Sequence, residues 1–233
     1  MNESINIIAP AVPAPTTPRP PQPAPTPLTR AKDFTNRLIF KGIIPFRKFL
    51  QRILLGLAAI TPLIWYIPDP WKDLGWGAWY LLFFIMLIRP LADIFPNIRL
   101  FRALVFFRKE TGILCASLVL AHGVGFYLAN NLPVISSFFD FTYWTFDNNA
   151  GYAHIGGLLA VILLITSNKW SQVILKRNWK RVQRLAYAFF LVGGLHIALI
   201  GDETVSIFLQ MGTVIVLWLL AHFRFSVKII TAR

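Results

Sequence analysis

Six apolar stretches, at approximately 53–68, 74–92, 112–129, 150–167, 185–201 and 204–223, alternate along the chain with short segments that hold nearly all of its charge. The fifth is the clearest. It opens with a basic turn of Lys180, Arg181 and Arg184, then runs uncharged from Leu185 to Gly201. In a helix that run rises about 25 Å at about 1.5 Å per residue, close to the hydrocarbon thickness of a bilayer. The first stretch is short and carries Pro62, the weakest of the six patterns. Ahead of them, residues 31–52 set Phe34, Leu38, Ile39 and Phe46 among Lys and Arg, which predicts a basic amphipathic helix lying on an anionic membrane surface. Residues 1–30 contain nine prolines and few large apolar side chains beyond Ile5, Ile7 and Ile8. Such a segment cannot bury enough surface to offset its ordering entropy and is expected to be a disordered, partly polyproline-like tail. It has no basic start, apolar core and small-residue cleavage site, so it does not read as a secretory signal.

The charges orient the spans. Every Lys and Arg except Lys72 lies before the first span, from Arg89 at the end of the second to the start of the third, between the fourth and fifth, or after the sixth. The opposite loops hold Asp69, Asp73, Asp140, Asp147, Asp202 and Glu203. By the positive-inside rule this predicts an all-α integral membrane bundle of six transmembrane helices over 53–224, with both termini cytoplasmic and 225–233 as a cytoplasmic tail. Composition agrees: 56% of residues are hydrophobic and 14% charged, against about 25% charged in soluble domains. A net charge of +13 would suit nucleic acid, but its confinement to one side of the predicted membrane argues for a lipid partner and against nucleic acid. The single cysteine, Cys115, excludes an intramolecular disulfide and any metal cluster held by several cysteines of this chain.

An ionisable group inside a span is costly unless something there uses it. His122 follows Glu110 by twelve residues, and His196 follows Arg184 by twelve. Both helices run outward, so both imidazoles lie roughly 18 Å above the cytoplasmic edge, in the outer half of the core. Two histidines at equal depth can clamp one haem b as its two axial ligands, a state that favours electron transfer over oxygen binding. Gly125 and Gly193 lie within a turn of them and would admit a flat macrocycle. The competing reading is a pair of unrelated core histidines hydrogen-bonded to carbonyls. His154, at the outer start of span four, either contacts a haem propionate or faces water. His222 closes span six near Arg224 and reads as solvated or phosphate-facing, with assistance to an inner cofactor as the alternative.

The stretch Leu87–Leu128, the Thr166-Ser167 end of span four, and the series Trp179, Gln183, Tyr187 and His196 carry a family likeness. Over roughly 53–224 the chain resembles ferric-reductase-like transmembrane proteins. Among them it is most similar to the YedZ/MsrQ type, the haem-binding bacterial inner-membrane subunit that feeds electrons to a periplasmic methionine sulfoxide reductase. The resemblance implies a b-type cytochrome passing electrons from a quinol, a flavin such as FMN, or a reductase partner to an extracytoplasmic acceptor, a reductase subunit or a ferric chelate. One departure matters. In those relatives another histidine stands thirteen residues before the outer ligand of span five, and here that position is Gln183; thirteen before His122 is Lys109. Neither is a usual haem ligand, so the residues support one haem. No Rossmann-type GxGxxG unit accompanies the spans, so direct hydride uptake from a nicotinamide is not expected. The alternative from another class is a cofactor-free membrane scaffold or assembly protein.

Overall fold

The computed structural model describes residues 46, 48–61, 70–147, 149–201 and 203–223. By its internal contacts the chain divides into Met1–Ile44 and Pro45–Arg233, and the first unit lies wholly outside the described residues. The proline-rich tail, most of the amphipathic segment 31–52, Pro62 and the tail 225–233 lie outside them as well.

The described residues form helices and turns, with no strand among them. Helix α1 runs through 48–60, across the boundary expected at 52/53. There follow α2 (Trp71–Ile94), α3 (Arg99–Val105), α4 (Arg108–Ala129), α5 (Val134–Phe139), α6 (Ala150–Ile165), α7 (Lys169–Leu175), α8 (Trp179–Gln183), α9 (Leu185–Ile200) and α10 (Thr204–His222). Three of these, α2, α4 and α10, are each long and apolar enough to cross a membrane. A fourth span arises if α6 and the segment Lys169–Gln183 count as one bent pair, with 92° between them. Helices α6 and α9 have 16 residues each, about 24 Å at about 1.5 Å per residue.

Neighbouring helices pack in the order α2, α4, α6, α9 and α10, and α10 returns to α2, so five helices close a ring; α2 also touches α9 across it. Cross-links between helix ends establish that α2, α4, α6, α9 and α10 alternate in direction, so that α10 and α2, which close the ring, run parallel. His122 near the end of α4 meets Trp71 at the start of α2, Tyr127 near the end of α4 meets His154 in α6, and His196 near the end of α9 meets Asn149 before α6. At the other end, Trp179 and Gln183 donate to the carbonyl and hydroxyl oxygens of Thr166, and Trp218 of α10 lies edge-on to Tyr187 of α9. Arg89, Arg99, Arg102, Arg108, Lys109 and the basic residues from Lys169 to Arg184 therefore gather at one end. The other end has Lys72, Asp73, Asp140, Asp147 and Glu203 among the described residues.

The core sits where α2, α9 and α10 meet. Trp79 is 2% exposed, stacks on Phe190 with ring centres 5.2 Å apart, and donates its Nε1 hydrogen to Gln210 Oε1 at 2.8 Å. That bond matters because an indole N–H has no water to turn to inside a bilayer. Gly194 lets this layer close, since a Cβ there would strike Met211 Sδ and come within 3.0 Å of Trp79 Cη2. On the outside of the ring, Tyr80, Phe84, Leu191, Leu209 and Val216 are exposed, an apolar girdle suited to lipid. Thr166 and Ser167 end α6 by turning their hydroxyls back onto Ile162 and Leu163, and Asn168 then caps α7 by accepting from the Ser171 amide. The long helix expected from Trp179 onward is interrupted at Arg184, where three-residue turn bonds (Arg184 N to Arg181 O, Tyr187 N to Arg184 O) separate α8 from α9.

Candidate functional site

His122 lies in the last third of α4 and His196 in the last turns of α9. Because α4 and α9 both run toward the less basic end, their imidazoles arrive at one level. The ring centres are 6.4 Å apart, with the planes 66° to each other. Each ring is held by a neighbouring helix. His122 Nδ1 is 2.6 Å from the Trp71 carbonyl oxygen, and His196 Nδ1 is 3.1 Å from that of Asn149. A carbonyl oxygen only accepts, so in both histidines the proton sits on Nδ1 and the lone pair on Nε2. Among the described residues neither Nε2 has a hydrogen-bond partner. This is the arrangement of ligating imidazoles, whose second nitrogen is tied to a carbonyl or carboxylate that fixes tautomer and orientation.

The separation is also right for a shared ion. Two metal–imidazole bonds of about 2 Å and a ring radius of roughly 1 Å on each side put the centres about 6 Å apart. Among the described residues no three His, Cys, Asp or Glu side chains gather to hold a metal ion by themselves. Haem iron needs only two protein ligands, since its macrocycle supplies the rest, so the donor set fits haem.

Room for the His122 ring comes from Gly75, one turn into α2. A Cβ on Gly75 would lie 2.8 Å from His122 Nδ1 and 2.9 Å from Cε1. Trp71 covers the same ring at 5.7 Å and is itself flanked edge-on by Phe126. Gly125 serves this layer: a Cβ there would lie 2.6 Å from Trp71 Cβ. Gly193 is more open, with Leu82 Cδ2 alone near its missing side chain, at 3.9 Å.

Residues 74–194 match the family model described as ferric reductase like transmembrane component. That is more than half of the 233 residues. The chain belongs to this family. No curated protein and no solved structure matches it. The ferric-reductase-like region takes in α2, α4, α6 and His122, and it closes two residues before His196. Membership points to an integral membrane component of electron transfer, in a family whose members generally bind haem.

The other candidate positions of this ferric-reductase-like domain are placed differently. His154 is 6% exposed, so it does not face water. Its Nδ1 donates to the Ala150 carbonyl and its Nε2 accepts from the Tyr127 hydroxyl, both at 2.8 Å. Tyr143, Phe138 and Trp144 enclose the ring at 5.9, 5.6 and 5.4 Å. Gln183 spends its amide on Thr166 Oγ1 at 2.9 Å, tying α8 to the end of α6, and Lys109 is exposed. His222 stacks on Trp218 at 5.3 Å, at the basic end. The residues that sequence reasoning missed are Trp71 and Asn149, which act through backbone carbonyls and so leave no side-chain signal, and Gly75, whose partner lies 47 positions away.

Proposed function

We propose that this chain is the b-type cytochrome subunit of a membrane oxidoreductase system, with one haem b held between His122 and His196. The observation that carries the reading is the paired anchoring of the two rings: each Nδ1 is tied to a backbone carbonyl at the start of a neighbouring helix, neither Nε2 has a partner among the described residues, and the centres stand 6.4 Å apart. Haem bound through two imidazoles supplies a one-electron carrier with no open iron position for oxygen. The chain's own groups do the positioning. The carbonyls of Trp71 and Asn149 hold the protons on Nδ1 and aim the rings, Gly75 gives the His122 ring its place, and Gly193 offers backbone that a flat ring can approach. Trp71, Phe126 and Leu82 keep the surroundings apolar, which raises the cost of charge on the iron and so sets its potential.

The wider reading places six helices across a bacterial inner membrane, with both termini cytoplasmic. The alternating direction of successive helices from α2 to α10 and the gathering of basic residues at one end support it. The histidine pair lies toward the less basic end, so electrons leave on the extracytoplasmic side. The acceptor is a partner protein of the methionine sulfoxide reductase kind, as in the YedZ/MsrQ type, or a ferric chelate; the donor is a quinol, FMN or another flavin, or a reductase partner. Gln183 and Lys109 leave the basic half without a second ligand pair, which supports one haem per chain.

The test is a dithionite-reduced minus oxidised visible spectrum of detergent-purified protein, with haem quantified per chain. A six-coordinate b-type spectrum near one haem per chain, lost in His122→Ala and in His196→Ala, is the expected outcome. Colourless protein from haem-replete cells would overturn it and leave the cofactor-free scaffold.

A further inference from the structure

A wide-mouthed cavity of about 570 Å³ opens at the basic end of the bundle, between the last turns of α2 and α10 and beside α3. Arg89, Asp93 and Arg102 line it, with Ala92, Val105 and Ala221 as its apolar wall. Arg89 Nε is engaged by Asp93 Oδ2 at 2.8 Å. Arg108, at the start of α4, stands outside the lining but within electrostatic range of both Arg89 and Asp93, and among the described residues its buried Nε has no hydrogen-bond partner. Glu110, two residues on, likewise leaves one buried carboxylate oxygen without a partner among the described residues. The lining itself sets two arginines against one carboxylate, which leaves the cavity with one net positive charge. The guanidinium fork matches phosphate oxygens.

The rim decides between a soluble anion and a lipid. Helix α3 reads RLFRALV, short and amphipathic, and it holds Leu100 63% exposed beside Arg102, while Phe106 just after it is 53% exposed. A soluble phosphate ester gains nothing from apolar side chains standing next to its site, whereas a phospholipid can lay its acyl chains over them. Basic pockets between transmembrane helices at the membrane surface bind anionic head groups in this way. We propose that the cavity seats the phosphate of one anionic phospholipid, with Arg102 and the free edge of Arg89 at the head group and the acyl chains over Leu100 and Phe106. One phosphodiester anion balances the excess charge. The site lies at the opposite end of the bundle from His122 and His196, so it stands whether or not haem is bound.

Native mass spectrometry of the full chain, delipidated in detergent and then offered phosphatidylglycerol or phosphatidylcholine, tests the proposal. The expected result is one retained phosphatidylglycerol, preferred over phosphatidylcholine by about fivefold for each arginine engaged. Arg89→Gln with Arg102→Gln should abolish the preference. Arg99→Gln, on the same helix but outside the cavity, should keep it, and circular dichroism would verify that each variant folds. Should the double variant fail to fold, Arg102→Gln alone serves, since Arg102 makes no ion pair among the described residues, and it should weaken the preference about fivefold. Equal retention of the two lipids, or a preference that survives loss of Arg102, would overturn the proposal. So would FMN or inorganic phosphate binding with the same dependence on Arg89 and Arg102 while the lipids show none, because the occupant would then be a soluble phosphate.

Discussion

Gly75 and His122 together show how narrowly the site is built at the level of single residues. The ring occupies the space a side chain at position 75 would need, while its Nδ1 is pinned to Trp71 one turn away on the same helix. Gly75→Ala therefore pushes the imidazole off its carbonyl and out of its place beside His196. We expect haem binding weakened by about 10–100-fold, the range seen when outer-shell partners of a ligating histidine are removed, read as haem per chain during dilution. Gly77→Ala, whose Cβ would meet nothing within 4 Å, is the control and should retain haem. The two histidines were legible in the sequence because an ionisable residue stands out against an apolar run, and equal spacing from the last charge gave their common level. Their anchors were not. Backbone carbonyls look alike in every residue, and only the packing of α4 on α2 and of α9 on α6 decides which carbonyl a ring meets. The same packing gives His154 its Tyr127 partner, a pairing with no trace in its sequence neighbours Tyr152 and Asn149.

Among the elements, the contact of α9 with α2 and α10 is the least forgiving. Gly194→Ala adds a methyl where Met211 Sδ and Trp79 already stand, and overpacking of this kind costs about 1–3 kcal/mol. The melting temperature in detergent should fall, and Met211→Ala in the same chain should recover part of the loss by vacating the space. The outer connection carries a pH dependence of known sign. Asp140 accepts from the Thr142 amide at 2.9 Å and from its hydroxyl at 2.8 Å, and these bonds hold its carboxyl below the usual 3.8. A depressed value in the folded state means that the carboxylate stabilises the turn above 3.8 and the contribution is lost as pH falls through the lower folded value. Amide exchange at Thr142 should stay protected through neutral and mildly acidic pH and lose protection only below 3.8, and Asp140→Asn should remove that acid step. Helix positions could be read from apolar runs, since each of the last five expected spans coincides with a helix to within a few residues. The break at Arg184 could not, because residues 179–184 suit a helix locally and the interruption comes from Trp179 and Gln183 being drawn to Thr166.

At the scale of the whole molecule, the distribution of charge carries the proposed direction in which electrons would leave. The sequence alone separates basic from acidic connections. The alternation of helix direction from α2 to α10 turns that separation into two ends of a body, with the histidine pair toward the acidic one. Two members of the ring, α6 and α9, are about 24 Å long, shorter than a bilayer core of about 30 Å, and they are held between the longer α2, α4 and α10. A short helix so placed can cross if the bilayer thins locally or flanking side chains reach to the interface, and the Lys and Arg that follow α6 and precede α9 are suited to reaching. Single cysteines in a Cys115→Ser background would decide the orientation. Cys115 is buried with its thiol on the Ala78 carbonyl, so its removal clears the only native label site. Asp147→Cys and Arg177→Cys place exposed thiols at the two ends. In intact spheroplasts an impermeant maleimide should label the first and reach the second only after permeabilisation. The reverse pattern would put the histidines on the cytoplasmic side and remove the extracytoplasmic acceptor from the reading. Labelling of both in intact spheroplasts would mean that α6 and the bent segment after it return to the side they came from instead of crossing.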